Sequence, residues 1–269
     1  MDAEWETMPL TKLQAEIGRL LAKNRSEDSY LAGGAAILSA PETKRFSQDL
    51  DYFHDSENRV ASAFEADRMT LSEAGYSLQV ELSQKGYIRT VVGNGIDSTK
   101  VEWAQDSSWR FMPVLLSLEF GYQLHPIDLA TNKILALGGR EESRDLIDTL
   151  YFHEHLLPLG PLVWASAGKD PGFSPSSLLE LLRRRGKIRQ EDINRLNLTE
   201  NLDPTEIKKS WLAALEGCEN FIRSRPIEEA GCLFYSPRLN RFIDPSSERE
   251  KDFILHFGKP GGVLPRIVE

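Results

Sequence analysis

The chain has 269 residues, a formal net charge of −9 and 41% hydrophobic residues, which fits one large or two small globular domains. We expect a cytoplasmic protein, because the N-terminus does not look like a signal peptide and no stretch approaches the roughly 20 apolar residues of a membrane helix. Two cysteines exclude a disulfide scaffold, and the acidic balance disfavours broad non-specific binding of nucleic acid.

The first half of the chain alternates between strand and helix patterns. Apolar residues at helical spacing predict a helix that begins near Pro9. A short apolar stretch then runs into Gly33-Gly34 and a helix-compatible segment. Beyond them we expect, in chain order, a strand at 49–53, a helix at 56–74, a hairpin of strands 76–84 and 87–92, and strands at 99–104 and 116–122.

From residue 125 the pattern becomes mainly helical. Asp128 is a suitable N-cap for a helix that stops at Gly138-Gly139, and 143–157 predicts a second helix. The stretch 158–175 is rich in Pro, Gly and Ser and predicts a loop or hinge.

The end of the chain carries one long helix and a hairpin. Asp203 is a good N-cap for a helix that ends before Pro226, and 231–244 predicts a small hairpin. The sequence therefore predicts an α+β protein, mixed in its first half and mainly helical in its second.

Two aspartates on the predicted strand at 49–53 indicate a metal site. Residues i and i+2 of a strand share a face, so the carboxylates of Asp49 and Asp51 project side by side. Such close like charges need a cation between them or a shared proton, and oxygen ligands favour Mg²⁺, with Mn²⁺ as an alternative. Other acid-x-acid pairs occur in the chain, but only this one is framed by apolar residues.

Gly33 and Gly34 supply a second component of the predicted site. Glycines between a strand and a helix let backbone N–H groups approach an anion, which the helix N-terminus also favours. Alone, such a pair is more often a tight turn. Next to two metal-binding carboxylates it describes a site for a nucleoside triphosphate.

These glycines, together with Arg45-Phe-Ser47-Gln-Asp49-Leu-Asp51, resemble the polymerase-β-like nucleotidyltransferases, and specifically the AbiEii/AbiGii toxin family. A second stretch, with Lys133 on one helix and Arg144-Asp145 on the next, resembles that family's second signature. The resemblance covers about residues 28–155. It implies a nucleotidyltransferase core at 1–124, in which helices flank a mixed sheet, and a mainly helical domain at 125–269 that contributes Lys133 and the Arg144-Asp145 region to the cleft.

The resemblance also implies a third carboxylate on a strand beside the Asp-x-Asp strand. Glu102 is the best match, although the family usually has an Asp there, and Asp106 is the alternative. The simpler interpretation of Glu102 is an exposed strand residue.

Roles for the site residues are carried over from the same resemblance. Metal would be bound by Asp49, Asp51 and Glu102; the nucleotide would be bound by Gly33, Gly34, Arg45 and Ser47; and Lys133 would stabilise the phosphates. Asp145 is predicted as catalytic, with a structural salt bridge as the alternative that we favour for Arg144 and Asp148.

Two other patterns have simpler interpretations. His153 and His155 point to nearly opposite sides of a helix, so we do not expect a metal pair. The basic run at 183–189 could bind an RNA backbone, but solvated helix ends commonly carry such runs.

The predicted reaction is Mg²⁺-dependent transfer of an NMP from an NTP to an acceptor hydroxyl. The resemblance implies a toxin of a toxin–antitoxin or phage-defence pair that modifies RNA such as tRNA, with an antitoxin as partner. The alternatives are nucleotidylation of a protein or of a small molecule such as an aminoglycoside, and a non-catalytic nucleotide-binding module of the same fold.

Overall fold

The structure is a computed structural model that describes residues 10–37, 43–246 and 252–266. Its helices are α1 Lys12–Leu21, α2 Gly33–Ile37, α3 Glu57–Glu73, α4 Pro126–Gly139, α5 Ser143–His155, α6 Leu159–Lys169, α7 Pro175–Arg185, α8 Gln190–Asn194 and α9 Pro204–Ser224. Its strands are β1 Ser29–Ala32, β2 Asp49–His54, β3 Ser77–Gln84, β4 Tyr87–Gly93, β5 Ser98–Gln105, β6 Trp109–Arg110, β7 Leu115–Ser117, β8 Gly121–Gln123, β9 Leu233–Ser236, β10 Arg241–Phe242, β11 Ile254–His256 and β12 Lys259–Pro260.

A seven-stranded mixed sheet organises the first half, in the order β3-β4-β5-β2-β1-β8-β7. Strand β2 occupies the centre, pairing parallel with β5 and antiparallel with β1. Strand β1 in turn pairs parallel with β8. The predicted α+β class, with helices around a mixed sheet and a helical second half, is confirmed.

The first helix begins later than predicted because its N-cap is Thr11. The Thr11 side chain accepts a hydrogen bond from the backbone N–H of Gln14, whose side chain accepts one from the Thr11 backbone. This capping box satisfies two N–H groups at the start of α1. The predicted start near Pro9 is therefore wrong, and Pro9 itself lies outside the described residues.

The single strand predicted at 116–122 is instead the hairpin of β7 and β8. The hydroxyl of Ser117 accepts hydrogen bonds from the backbone N–H groups of Glu119 and Phe120, which closes a turn. Gly121 follows at a φ of +72°, where a Cβ would lie 2.5 Å from the carbonyl oxygen of Ala22. Only glycine fits this position without a shift of the neighbouring chain.

Asp128 is not the N-cap that the sequence predicts. Helix α4 begins at Pro126, and the ring Nδ1 of His125 accepts the capping hydrogen bond from Ile127. The fully buried Asp128 carboxylate instead accepts hydrogen bonds from the backbone N–H groups of Phe111 and Met112, at 2.7 and 3.0 Å. It thereby ties the chain after β6 to α4, and burial raises its pKa to about 6.

The loop predicted at 158–175 is wrong for most of its length, because α6 is a buried helix. The Pro and Gly residues that suggested a loop serve close packing. A Cβ on Gly160 would lie 2.6 Å from Phe221 of α9, and one on Gly168 would lie 2.4 Å from the backbone of Gly231. Pro161 falls in the first turn, where its missing N–H costs no helical hydrogen bond.

The second half shares its hydrophobic core with the sheet. One cluster of buried residues extends from α1 through the sheet to α9, and β12 returns from the far end of the chain to pair with β6. The boundary at 124/125 falls between β8 and α4 and stays a prediction. None of the helices in the described ranges has both the length and the apolar character needed to cross a bilayer.

The end of the chain follows the sequence closely. Asp203 caps α9 by accepting a hydrogen bond from the backbone N–H of Thr205, and α9 ends at Ser224, before Pro226. The predicted hairpin consists of β9 and β10, which are antiparallel. A third strand, β11, pairs with the other edge of β9.

The buried position of α6 predicts a stability difference between two leucines on helices. Leu162 of α6 is fully buried, whereas Leu212 of α9 is 55% exposed. Leu162→Ala should lower the free energy of unfolding by about 2–5 kcal/mol because it leaves a cavity. Leu212→Ala should change it by less than about 0.5 kcal/mol. Urea denaturation compares the two, and equal losses would contradict a buried α6.

Candidate active site

The central strand presents two aspartates to one face of the sheet. Along β2, Asp49 and Asp51 are partly exposed, whereas Leu50 and Tyr52 are fully buried on the opposite face. The parallel register between β2 and β5 sets Asp51 directly opposite Glu102. Three carboxylates therefore share one wall of the cleft, as the Asp-x-Asp spacing and the family resemblance predict.

Gly33 lies directly against the Asp51 carboxylate. It follows β1 and begins α2 with a φ of +59°, and a Cβ built on it would lie 1.9 Å from Asp51 Oδ2. Any other residue would push that carboxylate away or move the backbone. A Cβ on Gly34 would likewise lie 3.0 Å from Arg45 Nη2 and 3.1 Å from Ser47 Oγ. The two glycines thus let the start of α2 lie against the predicted site residues.

These residues line a cavity of about 270 Å³ between the sheet and the start of the helical half. The predicted site residues that line it are Gly33, Gly34, Arg45, Ser47, Asp49, Asp51, Glu102 and Lys133. Its walls also include residues that the prediction lacked, among them Phe53, Tyr87, Arg89, Asn132 and Arg140. Arg144 lines the cavity as well; the resemblance assigned its region to the cleft, while we favoured a structural salt bridge for Arg144 itself.

Buried ion pairs hold the cations of the helical wall. Lys133 Nζ lies 3.0 Å from Asp145 Oδ1 and 2.9 Å from Asp148 Oδ2. Burial opposes the charge on Lys133, but the two aspartates outweigh it and raise the pKa of the amine. Arg45 makes a two-point contact with Asp148, from Nε to Oδ1 at 2.8 Å and from Nη2 to Oδ2 at 2.6 Å. Burial alone would raise the pKa of Asp148, yet Lys133 and Arg45 lower it to about 2.

Asp145 is the predicted site residue that does not line the cavity. Its fully buried carboxylate accepts hydrogen bonds from Lys133 and from Arg140 Nε, the latter at 2.7 Å. Burial opposes the charged form, but these two cations lower its pKa. In this arrangement Asp145 orients two cations that do face the cavity.

Two of the three carboxylates on the sheet are contacted by arginines. Arg144 Nη1 lies 3.2 Å from Asp49 Oδ2, so Arg144 reaches across the cleft to β2. Arg89 Nε lies 2.8 Å from Glu102 Oε1. The pKa of Asp51 is raised to about 6 by burial and then by the charge of Glu102, with Lys133 acting in the opposite direction.

These contacts show how well the carboxylates of the cleft suit a metal ion. Among the described residues, no group of three or more His, Cys, Asp or Glu side chains is arranged to hold a metal. Asp49 and Glu102 are instead paired with arginines. The donor set is nevertheless that of a hard cation, with carboxylates on adjacent strands and excess negative charge at Asp51. Oxygen donors of this kind suit a hard cation such as Mg²⁺ or Mn²⁺, and all three carboxylates could bind it only if Asp49 and Glu102 left their arginines.

The remaining candidates do not line the cavity. Asp106, the alternative third carboxylate, follows the end of β5 and contacts Asn132 and Lys169, each at 3.2 Å. His153 Nδ1 accepts a hydrogen bond from the backbone of Leu159. In the basic run, Arg183 pairs with Glu180 and Glu219.

Arg89 and Arg140 line the cavity, but the sequence analysis did not predict them as site residues. Arg89 lies on the strand that pairs with β5, and the register of that antiparallel pair sets it directly opposite Glu102. The sequence analysis predicted the hairpin at 76–92 but not the pairing of its second strand with β5, so it did not place Arg89 beside Glu102. Arg140 follows the predicted end of α4, and only the fold shows that its side chain turns back to Asp145.

The contact of Gly33 with Asp51 predicts the effect of a single methyl group. Gly33→Ala should lower the free energy of unfolding by roughly 1–3 kcal/mol, because it forces a strained backbone and a clash with the carboxylate. Gly217→Ala in α9 is the control, since its Cβ meets nothing within 4 Å and alanine favours a helix by about 1 kcal/mol. Thermal denaturation measures both, and a Gly33→Ala protein as stable as the parent would contradict this geometry.

Comparison with known proteins gives a likeness in fold. No protein-family model matches the chain, and no curated protein does. Among solved structures, it is similar to MenT4, a nucleotidyltransferase toxin from Mycobacterium tuberculosis, with a TM-score of 0.53 and 16% identity over 80% of this chain and 83% of that one. JHP933 from Helicobacter pylori matches at a TM-score of 0.47 and 16% identity, over 80% of this chain and 96% of that one. The chain therefore has the nucleotidyltransferase fold that its motifs predict.

Proposed function

We propose that the protein transfers an NMP from an NTP to an acceptor hydroxyl, with Mg²⁺ bound by Asp49, Asp51 and Glu102. The observation that carries the proposal is the cavity itself, where these carboxylates face a wall of cations. A triphosphate with a divalent cation has matching charges for both walls. The fold shared with MenT4 supports the same reaction class.

The reaction forms one bond and breaks another at the α-phosphorus. The acceptor oxygen attacks, the bond to the bridging oxygen of the β-phosphate breaks, and pyrophosphate leaves. The bound metal would activate the attacking oxygen and stabilise charge on the phosphates. Glu102 is placed to accept the proton of the acceptor or to complete the metal site.

Other residues of the cleft bind and orient the triphosphate in this proposal. Gly33 and Gly34 line the cavity without side chains, so the backbone at the start of α2 would approach the phosphate oxygens. Lys133 and Arg45 are held in place by buried aspartates, so their positive charge is preorganised before the substrate arrives. Asp145 supports the reaction through the orientation of Lys133 and Arg140.

The acceptor that we propose is RNA, such as tRNA. The support is a basic segment that comprises Arg184, Arg185, Lys187, Arg189 and Arg195. It leads directly into 197–199, which pairs with 44–46: the Phe46 N–H donates to the Asn197 carbonyl at 2.7 Å, and the Thr199 N–H donates to the Lys44 carbonyl at 3.0 Å. Since Arg45 lines the cavity, this pairing connects the segment after the basic residues to the cavity wall, and we propose that their charge attracts a polyanionic acceptor.

The likeness in fold to a nucleotidyltransferase toxin supports a proposal for the biological role of the protein. We propose a toxin of a toxin–antitoxin or phage-defence pair, with a cognate antitoxin as partner. The reaction needs NTPs and RNA together, and the cytoplasm provides both.

The proposal predicts which carboxylates the reaction requires. Purified protein with α-³²P-labelled NTPs, Mg²⁺ and total RNA should label RNA, and chelation of the metal should abolish labelling. Asp51→Asn should lower the rate at least about a hundredfold, since the metal loses a ligand while the side-chain volume is kept. Glu102→Gln should also be strongly impaired, whereas Asp106→Asn should stay close to the parent because Asp106 lies outside the cavity.

The same assay separates the alternatives. Full activity of Asp51→Asn would contradict the metal site, and loss in Asp106→Asn with normal Glu102→Gln would move the third carboxylate. Label in a protein or small-molecule pool instead of RNA would replace the proposed acceptor. Nucleotide binding that is equally strong with and without Mg²⁺, and without any transfer, would favour a non-catalytic module.

A further inference from the structure

Arg144 is held more loosely than Arg45 and Lys133 in the same cleft. Its Nη1 makes one 3.2 Å contact with Asp49, and its buried Nε has no hydrogen-bond partner within residues 10–37, 43–246 and 252–266. Arg45, in contrast, donates from Nε and Nη2 to Asp148 and from Nη1 to the carbonyl of Phe46. A guanidinium has five N–H donors, so Arg144 has capacity for a second ligand.

The backbone of Arg144 is anchored while its side chain is accessible. The next residue, Asp145, is fixed by Lys133 and Arg140 in the first turn of α5. The Arg144 side chain is 26% exposed and lines the cavity. It can therefore change partners within the cleft while the helix stays in place.

Asp49 is the partner that Arg144 would have to give up. In the proposed function this carboxylate binds the metal, and a guanidinium in contact with it repels a divalent cation at the same place. Binding of the metal must break or weaken the contact between Asp49 and Arg144. A triphosphate offers the released guanidinium new anionic oxygens, to which arginine binds well.

We propose that Arg144 is an exchange residue, which pairs with Asp49 in the free protein and moves to the triphosphate when metal binds. This inference rests on the proposed function. Metal alone binds against the cost of breaking the ion pair, and the nucleotide recovers that cost by giving Arg144 a new partner. Metal and nucleotide therefore increase each other's affinity, and this coupling is reciprocal.

The test measures metal binding without turnover. Free Mn²⁺ is followed by electron paramagnetic resonance in the parent, Arg144→Gln and Arg140→Gln proteins, each with and without α,β-methylene NTP analogues. Arg144→Gln should bind Mn²⁺ alone about two- to fivefold more tightly, because a competing ion pair is gone. In saturating Mn²⁺ it should bind the analogue at least about tenfold more weakly, because a charged hydrogen bond is lost.

Arg140→Gln is the matched control. It removes the same charge from the same cavity, but Arg140 pairs with Asp145 and not with Asp49. Its Mn²⁺ affinity should therefore rise less than that of Arg144→Gln. Arg144→Lys keeps the charge and should restore part of the competition with Mn²⁺.

The possible results separate this inference from the proposed function. If Mn²⁺ binds the parent and Asp49→Asn weakens it, but Arg144→Gln and Arg140→Gln raise its affinity equally, the exchange is wrong and the metal site stands. The exchange is also wrong if Arg144→Gln shifts the metal and nucleotide affinities in the same direction. If Mn²⁺ binds neither the parent nor Arg144→Gln, even with an analogue, both the exchange and the metal-dependent function are wrong.

Discussion

The parallel pairing of β2 with β5 creates the electrostatic constraint on which the site depends. It sets Asp51 opposite Glu102, with Asp49 two residues away on the same strand. Burial and this neighbouring charge raise the pKa of Asp51 to about 6, so the folded protein holds a carboxylate that its own residues leave poorly neutralised. Gly33 has no side chain, and the Asp51 carboxylate occupies the space that a Cβ would fill. In the proposed function a divalent cation from solution neutralises this wall.

The ion pairs around the cavity form two groups with different properties. Lys133, Arg45 and Arg140 are tied to the buried Asp145 and Asp148, and breaking such pairs would leave buried charges unpaired. They are therefore a fixed framework that keeps positive charge directed at the cavity.

The second group consists of the contacts of Arg144 with Asp49 and of Arg89 with Glu102. Their carboxylates are each 16% exposed, whereas those of Asp145 and Asp148 are at most 4% exposed, so solvent screens these two pairs more strongly and they are weaker. Both contain a carboxylate that we propose as a metal ligand. In the proposed function, the fixed pairs hold positive charge in place before the substrate arrives. The weaker pairs are the ones that can open when metal and substrate bind.

The sequence predicted those features that depend on local patterns. The alternation around Asp49 and Asp51 gave the strand and its shared face, and Asp203 gave the start of α9. The sequence could not show where contacts between distant parts of the chain give a residue a different structural role. Asp128 has the character of an N-cap, yet it binds the backbone after β6 because the chain folds back there. The Gly and Pro residues of α6 resemble a loop, because composition does not reveal that Phe221 and Gly231 pack against them.

The same limit applies to the cleft. Motif and resemblance selected about half of the residues that line the cavity, whereas the partners of the carboxylates depend on tertiary contacts. Arg144 resembles a residue of a salt bridge between helices, and only the tertiary fold brings it within reach of Asp49. The pairing of Arg89 with Glu102 follows from strand register, which a pattern of alternation alone leaves open.

The central claim is that the carboxylates of β2 and β5 hold a divalent cation in the presence of nucleotide. Crystals grown with Mn²⁺ and an α,β-methylene NTP, measured at the manganese absorption edge, locate the ion directly. The account predicts an anomalous peak at Asp49 and Asp51, with the triphosphate along Gly33-Gly34 and Lys133. A bound nucleotide with manganese elsewhere, or with Arg144 still paired with Asp49 and no ion between the aspartates, would contradict it.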